Sequence, residues 1–159
     1  MAVDLVKGDK VIINRGKLFN ALLTSVSIPG IFPPIILDGK ILVDGGIVDV
    51  VPIETAQSLG ANFVIGVNVS QTIKKRYEFN NAVEILFRTD SITSAQLRKL
   101  QLSFADVVIT PKVERFHWSD FTKPGQCIRE GEIAAQNTIS EIKEKLKSTK
   151  PTWWKKLFY

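Results

Sequence analysis

The chain has 159 residues, 45% of them hydrophobic and 23% charged, with a formal net charge of +5. That balance belongs to a folded globular protein and excludes disordered, collagen-like and repeat architectures. A single histidine, His117, and a single cysteine, Cys127, exclude an internal disulfide and a zinc centre built on several such ligands, and they point to a reducing, cytoplasmic compartment.

Asp4 and Lys7 interrupt the first residues before any apolar stretch forms, so the start does not read as a signal peptide. No run approaches the roughly 18 apolar residues of a membrane span. The charge is uneven. Residues 141–159 hold six Lys and two Glu, +4, which leaves 15 basic and 14 acidic side chains, +1, for the rest. A nucleic-acid partner is not expected, because that needs a basic stripe on the fold itself.

In chain order, residues 10–16 (KVIINRG) predict a short strand. Residues 17–27 predict a helix, with Leu18, Leu22 and Val26 spaced along one apolar face. IPGIFPP, residues 28–34, is a loop, since its three prolines remove amide donors and fix the backbone. PIIL and KILV then flank Asp38-Gly39, a strong hairpin signal. Pro52, Glu54 and Gly60 punctuate a short helix over 52–59, and the β-branched run 62–70 predicts a strand buried on both faces. Strand 41–44, helix 52–59 and strand 62–69 would form a βαβ unit with a parallel pair. A helix over 80–102, a strand over 105–111 and a helix over 127–147 complete the pattern. The alternation indicates a three-layer α/β/α domain with a mainly parallel sheet.

Asp44-Gly45-Gly46 closes strand 41–44 without the returning partner that brackets Asp38-Gly39. Two readings fit. Asp-Gly is common in turns, so a structural bend suffices. Open parallel sheets also collect catalytic groups beyond the carboxyl ends of their strands, and two glycines would leave such a carboxylate approachable.

Ser27-Ile28-Pro29-Gly30, Phe32-Pro33-Pro34, Leu42-Val43-Asp44-Gly45-Gly46, Val51-Pro52 and Leu59-Gly60-Ala61 follow one another in an order that resembles the second half of the bacterial patatin-like phospholipases. The likeness runs over roughly residues 2–146. It implies a serine acyl hydrolase of lipids that works with a Ser–Asp pair and no cofactor. By this resemblance Asp44 is the proton acceptor within the Asp44, Gly45, Gly46 motif, and Ser27, Ile28, Pro29 and Gly30 form a loop beside the site. A carboxylate can take a serine proton when burial lifts its proton affinity towards the working pH. Asp49 and Val50 stand where the family often has Asn. Asp49 could therefore place a second negative charge near Asp44, or point to solvent.

The family also carries a Gly-rich oxyanion loop and a Gly-x-Ser-x-Gly nucleophile elbow. No two of the ten glycines here are four apart, so the elbow is absent from the sequence. Ser25 and Ser27 read as helix-end or turn residues rather than nucleophiles. Residues 1–148 accordingly resemble the C-terminal portion of a patatin-like domain, lacking its N-terminal strands, with 149–159 as a basic-aromatic tail. The missing half would be supplied in cis or in trans. Alone, the chain should be catalytically silent, since losing one oxyanion donor costs roughly 3 kcal/mol, and it should expose strand edges and an apolar helix-packing face. Trp153, Trp154, Lys155, Lys156 and Phe158 suit a membrane interface, so peripheral contact with the lipid is expected. The competing reading is a non-catalytic α/β remnant that binds lipid or protein.

Overall fold

A computed structural model of the chain describes residues 1–70, 73, 75, 77–117 and 119–148. The fold is α/β, with helices set between strands and one parallel pair. Two compact units divide it: Met1–Pro52 with Tyr77–Gln101, and the described residues of Ile53–Arg76 and Leu102–Tyr159.

The first unit is built on a four-stranded sheet of β1 (Ala2–Asp4), β2 (Lys10–Val11), β3 (Ile35–Leu37) and β4 (Lys40–Asp44), in the order β2-β1-β4-β3. Every pairing in it is antiparallel. Ala2, Val3, Leu42 and Val43 are almost fully buried and form its core. The hairpin joining β3 to β4 is the one its sequence dictates. Leu37 pairs with Lys40, and the two turn residues take positive φ, 49° at Asp38 and 73° at Gly39. That backbone matches the right-handed twist of the strands on either side.

Helix α1 (Leu18–Ser25) also forms where periodicity places it, but it faces the other way. Leu18, Phe19, Leu22, Leu23 and Val26 share one face at 3.6 residues per turn, and all are exposed, Leu18 by 73% and Phe19 by 69%. Thr24, on the opposite side, is fully buried and donates its hydroxyl to the Asn20 carbonyl at 2.7 Å. Apolar spacing foretold the helix and not the direction of its apolar face. Helix α3 (Ala82–Leu102) brings Gln101 into the first unit.

The second unit contains α2 (Ile53–Ser58), the parallel pair β5 (Ile65–Val67) and β6 (Val107–Ile109), and α4 (Pro124–Ser148). Glu54 lies in the first turn of α2, where the helix dipole favours an anion. The helix closes in a Schellman arrangement. Ala61 donates to Ala56 O at 3.1 Å, Gly60 donates to Gln57 O at 2.9 Å, and Gly60 has φ of +101°. Gly66 lets β5 sit closely on its neighbours, since a Cβ there would stand 3.1 Å from both Ile53 Cδ1 and Leu102 Cδ2. The Asp106 carboxylate accepts from Val64 N at 2.7 Å and so fixes β5 against β6. Helix α4 packs on β6, and Lys145 donates to Asp106 O at 2.7 Å. No helix among the described residues is long and apolar enough to cross a membrane.

Two expectations are corrected. The predicted βαβ unit does not form, because β4 pairs antiparallel with β1 and β3 whereas β5 pairs with β6. The segment Ala2–Asp4, unremarkable as a sequence, takes the edge of β4 that a parallel partner would have used. Nor is β5 buried on both faces: Ile65 and Val67 are 40% and 48% exposed, with only Gly66 between them buried. Trp153, Trp154, Lys155, Lys156 and Phe158 lie outside the described residues.

Candidate functional site around Asp44

Strand β4 ends at Asp44 because the next three residues, Gly45–Ile47, wind into a single 3-10 turn. Asp44 caps that turn. Its Oδ1 accepts a hydrogen bond from Gly46 N at 2.8 Å, which satisfies an amide the turn would otherwise leave unpaired. The side chain is half-buried, and no described residue donates to its other oxygen, Oδ2.

Each glycine of the motif has its own reason. A Cβ on Gly45 would stand 2.8 Å from Met1 Cβ and 2.9 Å from Met1 C, so the start of β1 can lie here only against a bare backbone. A Cβ on Gly46 would meet Asp44 Oδ1 at 3.3 Å and crowd the carboxylate itself.

The loop after α1 is joined to Asp44 through the backbone: Asp44 N donates to Ser27 O at 3.0 Å. Beyond Ser27 the chain turns on Ile28, whose carbonyl accepts from Ile31 N at 3.1 Å and Phe32 N at 2.9 Å, with Pro29 inside the turn and Gly30 at φ +80°. The Ser27 hydroxyl is buried and donates to Leu23 O at 2.7 Å. No described hydroxyl forms a hydrogen bond with Asp44.

Asp49 does not point to solvent. It is 4% exposed rather than solvated, and Lys10 Nζ lies 3.2 Å from its Oδ2, so its charge is met by a cation. Gln101 Nε2 donates to Asp49 Oδ1 at 3.1 Å. Lys10 falls in the predicted strand 10–16 and Gln101 in the predicted helix 80–102, and no local signal marks either as a site residue. His117 is exposed, with Nδ1 at 2.7 Å from Ser119 Oγ, and Cys127 is a free thiol.

This arrangement is an α/β chain in which a half-buried acid closes a strand, caps a glycine turn and has one oxygen to which no described residue donates. The profile of the patatin-like phospholipase family matches residues 3–56, a stretch that contains Asp44, Gly45, Gly46 and the Ser27–Gly30 loop. An uncharacterized NTE family protein of Mycobacterium tuberculosis is 37% identical over 70 residues, 44% of this chain and 19% of the relative. A second NTE family protein of Mycobacterium tuberculosis is 24% identical over 163 residues, 87% of this chain and 28% of the relative. Lysophospholipase NTE1 of Meyerozyma guilliermondii is 22% identical over 153 residues, 80% of this chain and 11% of the relative. These likenesses support the patatin-like family. The chain corresponds to under a third of the length of each of these relatives.

Proposed function

We propose that this chain carries the proton-accepting part of a patatin-like lipid acyl hydrolase. Asp44 accepts the proton of a serine hydroxyl that a polypeptide segment outside these 159 residues supplies. The serine oxygen then bonds to the acyl carbon of a lipid ester, the alcohol leaves with a proton, and water releases the fatty acid. The lysophospholipase among the relatives supports lipid as the substrate class. The observation that carries the reading is Asp44 itself, held at the end of β4 by the Gly46 bond to Oδ1, with no described donor on Oδ2.

Two features of the surface support a completing segment. Among the described residues the parallel sheet has two strands, with Ile65, Val67 and Val108 exposed, whereas parallel sheets are ordinarily covered on both faces. Helix α1 turns an apolar face outward. On this reading residues 1–148 are one portion of a larger domain, and residues 149–159 bring it to the lipid surface.

A second reading, a non-catalytic α/β module, has its own support: Asp44, Gly45 and Gly46 each already have a structural task. One experiment separates the two. The nucleotide sequence adjoining the coding region is read for a frame encoding Gly-x-Ser-x-Gly, and its product is co-expressed with this chain. The pair is then assayed on lysophospholipid and on a p-nitrophenyl ester. The hydrolase reading expects turnover by the pair, none by this chain alone, and loss of turnover in Asp44→Asn. An absent frame, or turnover indifferent to Asp44→Asn, overturns it.

A further inference from the structure

The turn capped by Asp44 is followed by residues 48–51, which belong to no helix or strand, and a single buried side chain clasps them. Gln101, 4% exposed, accepts from Val51 N at 3.1 Å through Oε1. Its Nε2 donates to Val48 O at 3.2 Å and to Asp49 Oδ1 at 3.1 Å. Asp49 passes the restraint on in two directions. Its carboxylate pairs with Lys10 at 3.2 Å, and its N–H donates to Gly45 O at 2.9 Å, beside a second bond from Val48 N at 3.1 Å. The carbonyl of the motif's central glycine is thus held by two amides of the stretch that Gln101 grips.

Burying an amide and a carboxylate is costly unless every polar atom finds a partner, and no buried side-chain nitrogen or oxygen among the described residues lacks one. An apolar side chain at position 101 would fill the space but shift the cost to the buried groups left unpaired. It would leave Val51 N, Val48 O and Asp49 Oδ1 without the bonds that set the path of the loop. Those bonds fix a direction, which packing alone does not.

We propose that Gln101, with Asp49 and Lys10, is a positioning unit for Asp44: it holds the Gly45 carbonyl, and through it the turn whose amide orients the Asp44 carboxylate. Its purpose rests on the proposed role of Asp44 as a base, while its geometry does not.

The test is a double-mutant cycle on the full chain, read by hydrogen exchange at the Gly46 amide. Asp44→Ala alone should speed that exchange by about tenfold, because it removes the acceptor. In the Gln101→Leu background the further substitution Asp44→Ala should do little, because the carboxylate is already displaced. Additive effects, with Gly46 as protected in Gln101→Leu as in the parent, would overturn the inference. Should Gln101→Leu not fold, Lys10→Met replaces it in the same cycle, since the Lys10 side chain is 43% exposed and Asp49 keeps its bond from Gln101. Coupling of the same sign supports the unit, and additivity there removes it. Exchange at Gly46 needs no turnover. Failure of the hydrolase assay would therefore leave this result standing, and additivity here would leave the hydrolase reading untouched.

Discussion

Gly45 and Met1 approach so closely that a methyl group on Gly45 would lie 2.8 Å from Met1 Cβ and 2.9 Å from its carbonyl carbon. Backbone cannot swing aside as a side chain can. Gly45→Ala should therefore displace β1 from β4 and cost about 1–3 kcal/mol, the range for overpacking a filled site. Urea unfolding followed by circular dichroism measures it. Gly46→Ala meets only the Asp44 carboxylate, at 3.3 Å, and should cost less. A Gly45→Ala protein as stable as the parent would show that β1 does not depend on that contact.

The hairpin offers a cleaner backbone test. Gly39 has φ of 73° with nothing near its absent Cβ, so Gly39→Ala carries conformational strain and no clash. The expected loss is about 1 kcal/mol. Asp38→Gly, at φ 49°, relieves a side chain from the same region and should be neutral or slightly stabilising. Unfolding midpoints for the pair should move in opposite directions or differ clearly in size.

Helix α1 predicts an inversion of the usual rule for apolar residues. Phe19→Lys and Leu22→Lys change exposed positions and should alter the stability of the isolated chain by no more than about 0.5 kcal/mol. Both should reduce self-association, read by light scattering, because a contiguous apolar surface is removed. Thr24→Leu, on the fully buried side, forces a larger group into a packed site and should cost about 1–3 kcal/mol. Strong destabilisation by the lysine substitutions would mean that this face is buried in solution.

Asp120 provides a measurement of charge. The Thr122 hydroxyl, at 2.5 Å, and then its amide, at 2.9 Å, bond to the Asp120 carboxylate and hold its pKa below the ordinary aspartate value. A lowered folded-state pKa gives a contribution that is present above the unfolded value and lost as pH falls through the folded one. Thr122→Val removes the larger cause. The Asp120 carboxyl carbon should then titrate at higher pH, followed by carbon-13 NMR, and an unmoved titration would mean that the hydroxyl bond does not form.

What could be read from the sequence was local. Leu18, Leu22 and Val26 gave away a helix, Asp38-Gly39 a hairpin and Gly60 a helix end, because each signal is written within a few residues whose backbone preferences are settled by their near neighbours. The motifs around Asp44, taken in their order, resemble a known family, whereas the local pattern by itself leaves a plain turn open.

Tertiary structure decided everything that depends on which distant residues meet. Only folding pairs Ala2–Asp4 with β4 and so replaces a parallel crossover by an antiparallel sheet. Only folding turns Thr24 inward and the leucines of α1 outward, because burial is a property of a face and its neighbours, and a period of 3.6 carries no direction. Only folding carries Gln101 to Val51, fifty residues away in the chain, and presses Met1 against Gly45. The sequence named the carboxylate at Asp44, whereas the turn it caps and the clasp on the loop that follows come from hydrogen bonds between segments that no local pattern joins.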